Sequence, residues 1–130
     1  MEAYSFRNDL VEIFTRQGIL FVVFCKGARI NAANAEIIVI ERLKVANGRD
    51  FPTLADCRQG SNMDKGARTL FASKAAVTNV TAGGLLIDSA IHKMLINAYL
   101  LFDQPNVPNK VFTSEDKALN WLNLFKTNIN

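Results

Sequence analysis

The stretch FPTLADCRQGSNMDKGARTL, from Phe51 to Leu70, decides the fold of this chain. Phe51 to Cys57 carries apolar side chains at Phe51, Leu54, Ala55 and Cys57 and predicts a short buried strand. Arg58 to Asn62 is polar around one Gly, a loop composition. Asp64 has the short acceptor side chain of an N-cap, and Ala67, Leu70 and Phe71 follow at helical spacing. A strand running through a tight loop into a helix N-terminus is the place where α/β proteins usually put function. Asp56, Arg58, Ser61, Asp64, Lys65 and Arg68 bring charge or a hydroxyl to this junction, and they form the candidate binding site. A cap with solvated ion pairs accounts for such a cluster. The functional alternative is a polar pocket, or a partner-recognition edge, at the C-terminal end of the strand.

Upstream, Leu10, Val11, Ile13 and Phe14 predict a first strand with a lead-in through Tyr4 and Phe6. Arg16-Gln17-Gly18 is a turn whose Gly tolerates positive φ. Ile19 to Cys25 is apolar on both faces, which places it in the sheet interior as the second strand of an antiparallel hairpin. A helix is predicted from Asn31 to Asn47, stopped by Gly48. At 100° per residue Ala35, Ile38, Val39, Val45 and Ala46 share one face. Ala33, Ile37 and Ile40 lie opposite, beside Glu41 and Lys44. One face covers the sheet. The other consists of isolated surface isoleucines or of a subunit contact, and the expected contact is a homodimer.

Downstream, the helix after Asp64 is expected to run, broken near Ser73, to about Val80. Ala82 to Asp88 predicts a strand whose Gly83-Gly84 pair points to close backbone approach or a bulge. Ser89 caps a predicted helix with the stripe Ile91, Met94, Leu95, Ala98, Leu101 and Phe102, ended by Asp103-Gln104-Pro105. Lys110 to Phe112 predicts the last strand. Thr113 to Asp116 has a capping-box pattern with Thr113 as N-cap, and Ala118, Trp121, Leu122 and Phe125 mark the last helix. The tail from Thr127 is polar and expected to fray. The order β-β-α-β-α-β-α-β-α implies an α/β fold: one domain over residues 1–130, with a mixed sheet and helices packed on it.

Composition narrows the function classes. The 130 residues are 49% hydrophobic and 21% charged, ordinary for a globular domain, and the formal net charge is only +3. Lys and Arg are scattered rather than clustered, so a pI near 9.0 is no nucleic-acid footprint. The longest apolar run, Ile19 to Cys25, is too short to span a membrane, and the N-terminus lacks an apolar signal core. A cytoplasmic protein that binds neither nucleic acid nor membrane is expected. Cys25 and Cys57 lie in strand-like runs and read as buried thiols. Neither has a partner at metal-ligand spacing, and no metal or cofactor is expected. His92, the only histidine, reads as a packing residue with no nucleophile or carboxylate aimed at it. No G-x-S-x-G, P-loop or G-x-G-x-x-G occurs, so the chain is not expected to be an enzyme.

The element order resembles the STAS domain, the fold of bacterial anti-sigma-factor antagonists. In that pattern an acidic or amide residue ends a strand, and an Asp follows eight residues later. That Asp precedes a phosphorylatable Ser in a Met-Asp-Ser-Ser-Gly type motif. Asp56 and Asp64 have this spacing, and Met63-Asp64 matches the first two motif positions. The whole chain is similar to small, uncharacterised bacterial STAS-like proteins. Gly27-Ala28-Arg29, Phe51-Pro52, Ala67-Arg68, Phe71-Ala72-Ser73, Val107-Pro108 through Phe112-Thr113, and Ala118 to Leu122 carry that similarity. It implies a regulatory or protein-interaction module. Lys65 stands where the phosphoacceptor would be, so the phosphoserine switch is not carried over; Ser61 lies four residues early. The related CRAL-TRIO lipid-binding fold has a similar order. It leaves a small-molecule or lipid-binding module as the alternative, with the last two helices lining a cavity.

Overall fold

The computed structural model describes residues 3–89 and 107–127. Its main sheet starts with a meander: β1 (Phe6–Arg7), β2 (Val11–Arg16) and β3 (Ile19–Phe24), each antiparallel to the next. The β2–β3 turn holds Gln17 and Gly18 at φ 52° and 80°. Positive φ at both central residues gives a turn whose twist matches the hairpin. β5 (Phe51–Asp56) then pairs parallel with β3, β7 (Val80–Leu86) parallel with β5, and β8 (Asn109–Phe112) parallel with β7. The order is β1-β2-β3-β5-β7-β8, a mixed sheet as expected.

Both faces of this sheet are covered, and the alternation along β3 follows. Leu20, Val22 and Phe24 point to one face, where Val11, Ile13, Ala55 and Leu85 join them. This face is covered by α1 (Ala32–Ala46) and α2 (Lys65–Phe71). Ile19 and Phe21 point to the other, with Leu54, Ala82, Leu86 and Phe112. There α3 (Glu115–Leu122) contributes Ala118 and Leu122. Gly84 lies on this second face. A Cβ built on it would stand 3.2 Å from Leu54 Cδ1 and 3.3 Å from Leu122 Cδ1, so the glycine lets α3 approach the sheet.

α1 begins at a reciprocal cap. Asn34 N donates to Asn31 Oδ1 at 2.8 Å, and Asn31 N donates to Asn34 Oδ1 at 3.1 Å. It ends at Asn47 in the left-handed region, φ 52°. Ala35, Ile38, Val39, Val45 and Ala46 are buried, as the periodicity predicts.

Several expectations need correction. Arg58 to Asn62 is not all loop: β6 (Ser61–Met63) pairs parallel with β4 (Ala28–Ile30) in a separate two-stranded sheet. Three-residue strands are too short to show a period. α2 does not run to Val80; it stops at Phe71, a 3-10 turn covers Lys74–Val77, and Val80 already opens β7. The cap of α3 is Ser114 rather than Thr113, with Ser114 Oγ accepting from Lys117 N at 3.4 Å. Cys57 is buried, but Cys25 falls just past the end of β3 and is only half-buried. In the tail, the Thr127 hydroxyl donates to Asp50 O at 3.3 Å, and residues 128–130 lie outside the described residues. His92 and the predicted helix from Ile91 to Phe102 lie outside the described residues.

Candidate functional site

The junction after β5 divides into two groups. In the first, Asp56 ends the strand with 8% of its surface exposed. Its Oδ1 accepts from Arg58 N at 3.1 Å and Arg58 Nε at 3.0 Å, and its Oδ2 accepts from Arg58 Nη2 at 2.8 Å. This is a bidentate, charge-assisted pair. Arg58 Nη2 also donates to Glu115 Oε1 at 2.8 Å, and Arg16 Nη2 stands 3.8 Å from Glu115 Oε2. The hydrogen bonding to Asp56 is the largest cause that drives the Arg58 guanidinium well above its ordinary value, so this group stays a cation. Arg58 therefore fastens the end of the central strand to the first turn of α3.

In the second group, Asp64 Oδ1 accepts from Ala67 N at 2.9 Å, the cap read from the sequence. Asp64 N donates to Ile30 O at 3.0 Å, which extends the β4–β6 pairing into the start of α2. Arg68 reaches back one turn, and its Nη1 donates to Met63 O at 2.7 Å. Lys65 is the first residue of α2 and is exposed. Ser61 opens β6. Among the described residues no hydrogen bond or ion pair joins the Asp56–Arg58 group to the Asp64–Arg68 group. Of the six residues brought together by the sequence, Asp56 with Arg58 and Asp64 with Arg68 are thus structural clamps, and Lys65 stands exposed to solvent.

Glu115 had no signal before the structure, because it lies 57 positions from the arginine it holds. Arg42 did have one. It falls on the face of α1 shared by Ile38, Val39, Val45 and Ala46, four residues after Ile38 and three before Val45. Only 5% of it is exposed. Its Nη2 donates to Ala76 O at 3.1 Å and Thr78 O at 2.8 Å, around the end of the 3-10 turn. Its Nη1 is buried with no hydrogen-bond partner among the described residues. Desolvation alone pushes the guanidinium down to about 10. Arg42 stands in the wall of a cavity of about 70 Å³ between α1, the 3-10 turn and strands β3 and β5. The alternative reading has the last two helices lining such a cavity, and the first of the two lies outside the described residues. In the second, Ala118 and Leu122 pack in the cluster on the opposite face of the sheet.

On the outer face of α1, Ala33 is exposed, and Ile37 and Ile40 are 45% and 44% exposed. Tyr4 is tied to the same helix, its hydroxyl donating to Glu41 Oε1 at 2.6 Å. No helix among the described residues is long and apolar enough to cross a membrane.

No curated protein matches the chain. Among solved structures it is similar to an uncharacterised protein of the DUF3478 family with a SpoIIAA-like fold, from Shewanella loihica PV-4. The TM-score is 0.59 at 14% identity, and the match covers 86% of this chain and 91% of the other. At that identity the likeness speaks for the fold, the STAS-like one that the element order and the mixed sheet lead to. Residues 13–126 match the model described as Domain of unknown function (DUF7793), and the chain belongs to that family.

Proposed function

We propose that this protein is a non-catalytic regulatory module of STAS type that acts by binding other protein chains, itself included, and that lacks the phosphoserine switch. Lys65 carries this reading. It is the first residue of α2, directly after the Asp64 cap, at the position where the resemblance puts a phosphoacceptor. An ammonium cannot be phosphorylated by a serine kinase, and a fixed cation at a helix N-terminus opposes the helix dipole. The remaining charged groups of the junction support the reading. Asp56, Arg58, Asp64 and Arg68 are each engaged in holding strand, helix or loop, and none is left aimed at a substrate.

The outer face of α1 is the favoured contact surface between two copies. Tyr4, Ile37 and Ile40 are three of the four large apolar side chains found exposed among the described residues; Ile37 and Ile40 share the outer face of α1, and Tyr4 is tied to that helix through Glu41.

Protein purified from its native host tests the missing switch. Its intact mass is expected to be that of the unmodified chain. A stoichiometric phosphate on Ser61, or on any other residue from Arg58 to Arg68, overturns the reading.

A further inference from the structure

Arg42 is more than a strut. Holding the 3-10 turn occupies Nη2 alone, yet the side chain brings a full positive charge and a second nitrogen into an apolar wall. Burying an uncompensated charge costs several kcal/mol, and no carboxylate pairs with this guanidinium among the described residues. The wall itself is nearly all hydrocarbon: Val22, Val39, Ala55, Val77 and Val80 contribute side chains, and Gly83 leaves space. Two polar side chains reach it, and both donate within the protein. Thr53 Oγ1 donates to Phe51 O at 3.3 Å, and Asn109 Nδ2 donates to Val107 O at 3.3 Å.

We infer that this cavity is a binding site for a small monocarboxylate with a short apolar body, whose carboxylate accepts from Arg42 Nη1. Charge selects an anion. The apolar wall rejects phosphate or sulfate, which need donors on every side. Size sets the upper limit: at about 10–15 Å³ per water-sized group, 70 Å³ holds on the order of five such groups, a carboxylate and a short chain. Pockets for drug-sized ligands run to about 300–1,000 Å³, so this cavity fits a short apolar body better than a long acyl chain. The inference is independent of the interaction reading above, since it lies under α1 and not on its outer face.

Butanoate is the probe, titrated into the full chain labelled with 15N and 13C at constant ionic strength, with 1-butanol as the neutral counterpart. The readouts are the Arg42 guanidinium and the methyl groups of Val39 and Val77. Butanoate is expected to shift these resonances saturably, and 1-butanol to need at least tenfold more. No saturable shift, an equal response to the alcohol, or a response shared with the exposed Arg7, Arg29 and Arg49 overturns the site and leaves Arg42 a strut with bound water. Arg42→Met is expected to abolish the response. Because it also gives up the bonds to Ala76 and Thr78, Val77→Phe is the second variant: it keeps Arg42 and fills the space. A folded Val77→Phe protein that still binds butanoate at Arg42 overturns the placement.

Discussion

Asp64 and Arg58 hold the same junction by different physics, and their removal should differ accordingly. Asp64 satisfies one N–H at the first turn of α2, in solvent. Asp64→Ala is expected to cost about 1 kcal/mol, read as a lower urea midpoint at unchanged slope. An unmoved midpoint would show that the cap contributes nothing. Arg58 neutralises a carboxylate that is nearly buried, and its loss strands that carboxylate. Hydrogen bonds to charged groups contribute about 1.5–3 kcal/mol. The Arg58 side chain is 41% exposed, which lets water replace part of it. Arg58→Ala is therefore expected to cost about 1–2 kcal/mol. The double variant Arg58→Ala with Asp56→Leu should recover some of that loss, because no unpaired charge remains. If the double variant loses, relative to the parent, the full sum of the two single-variant losses, the pair is not coupled.

At the scale of elements, the pair Gly83-Gly84 shows how one strand serves two faces. Gly83 opens onto the cavity under α1, and Gly84 admits α3 on the other side. Gly84→Val places branched carbon against Leu54 and Leu122, whose ends can shift somewhat. A destabilisation of about 1–3 kcal/mol is expected, with the far-ultraviolet circular dichroism unchanged. A neutral Gly84→Val would mean that α3 packs more loosely than the 3.2–3.3 Å approach implies. The sequence carried the close approach at Gly84, the covered face of α1 in Ile38 and Val39, and the interior placement of β3 in its unbroken apolar run. What it did not carry shares one cause. The β4–β6 pairing and the Arg58–Glu115 bond join residues far apart in the chain, through segments with no period or motif of their own. Periodicity reports a face, and it cannot report which distant group meets that face. Arg42 is the exception: its place on the apolar face was countable, but a charged side chain there reads as surface until its burial is measured.

At the scale of the whole molecule, the outer face of α1 makes the sharpest claim. Ile38, Val39 and Val45 pack on the sheet, so Ile37 and Ile40 are free to meet another chain. Full burial of an isoleucine is worth about 1.5–3 kcal/mol, and a two-fold axis counts each contact twice. Tyr4, tied to the same helix through Glu41, adds a third exposed apolar side chain. A stable interface buries about 800 Å² per partner, so the strip must be the centre of a larger contact, with Ala33 and Lys44 toward its ends. The homodimer follows as a prediction for light scattering at high micromolar concentration, where the unmutated chain should have twice the monomer mass. Ile37→Lys with Ile40→Glu should give a monomer. Because neither isoleucine belongs to the core, the variant should keep its circular dichroism and lose no more than about 0.5 kcal/mol per site by its effect on the isolated fold. Three results would sink the idea: a monomeric parent, a dimer that survives both charges, or a variant that fails to fold and so reveals these side chains as core.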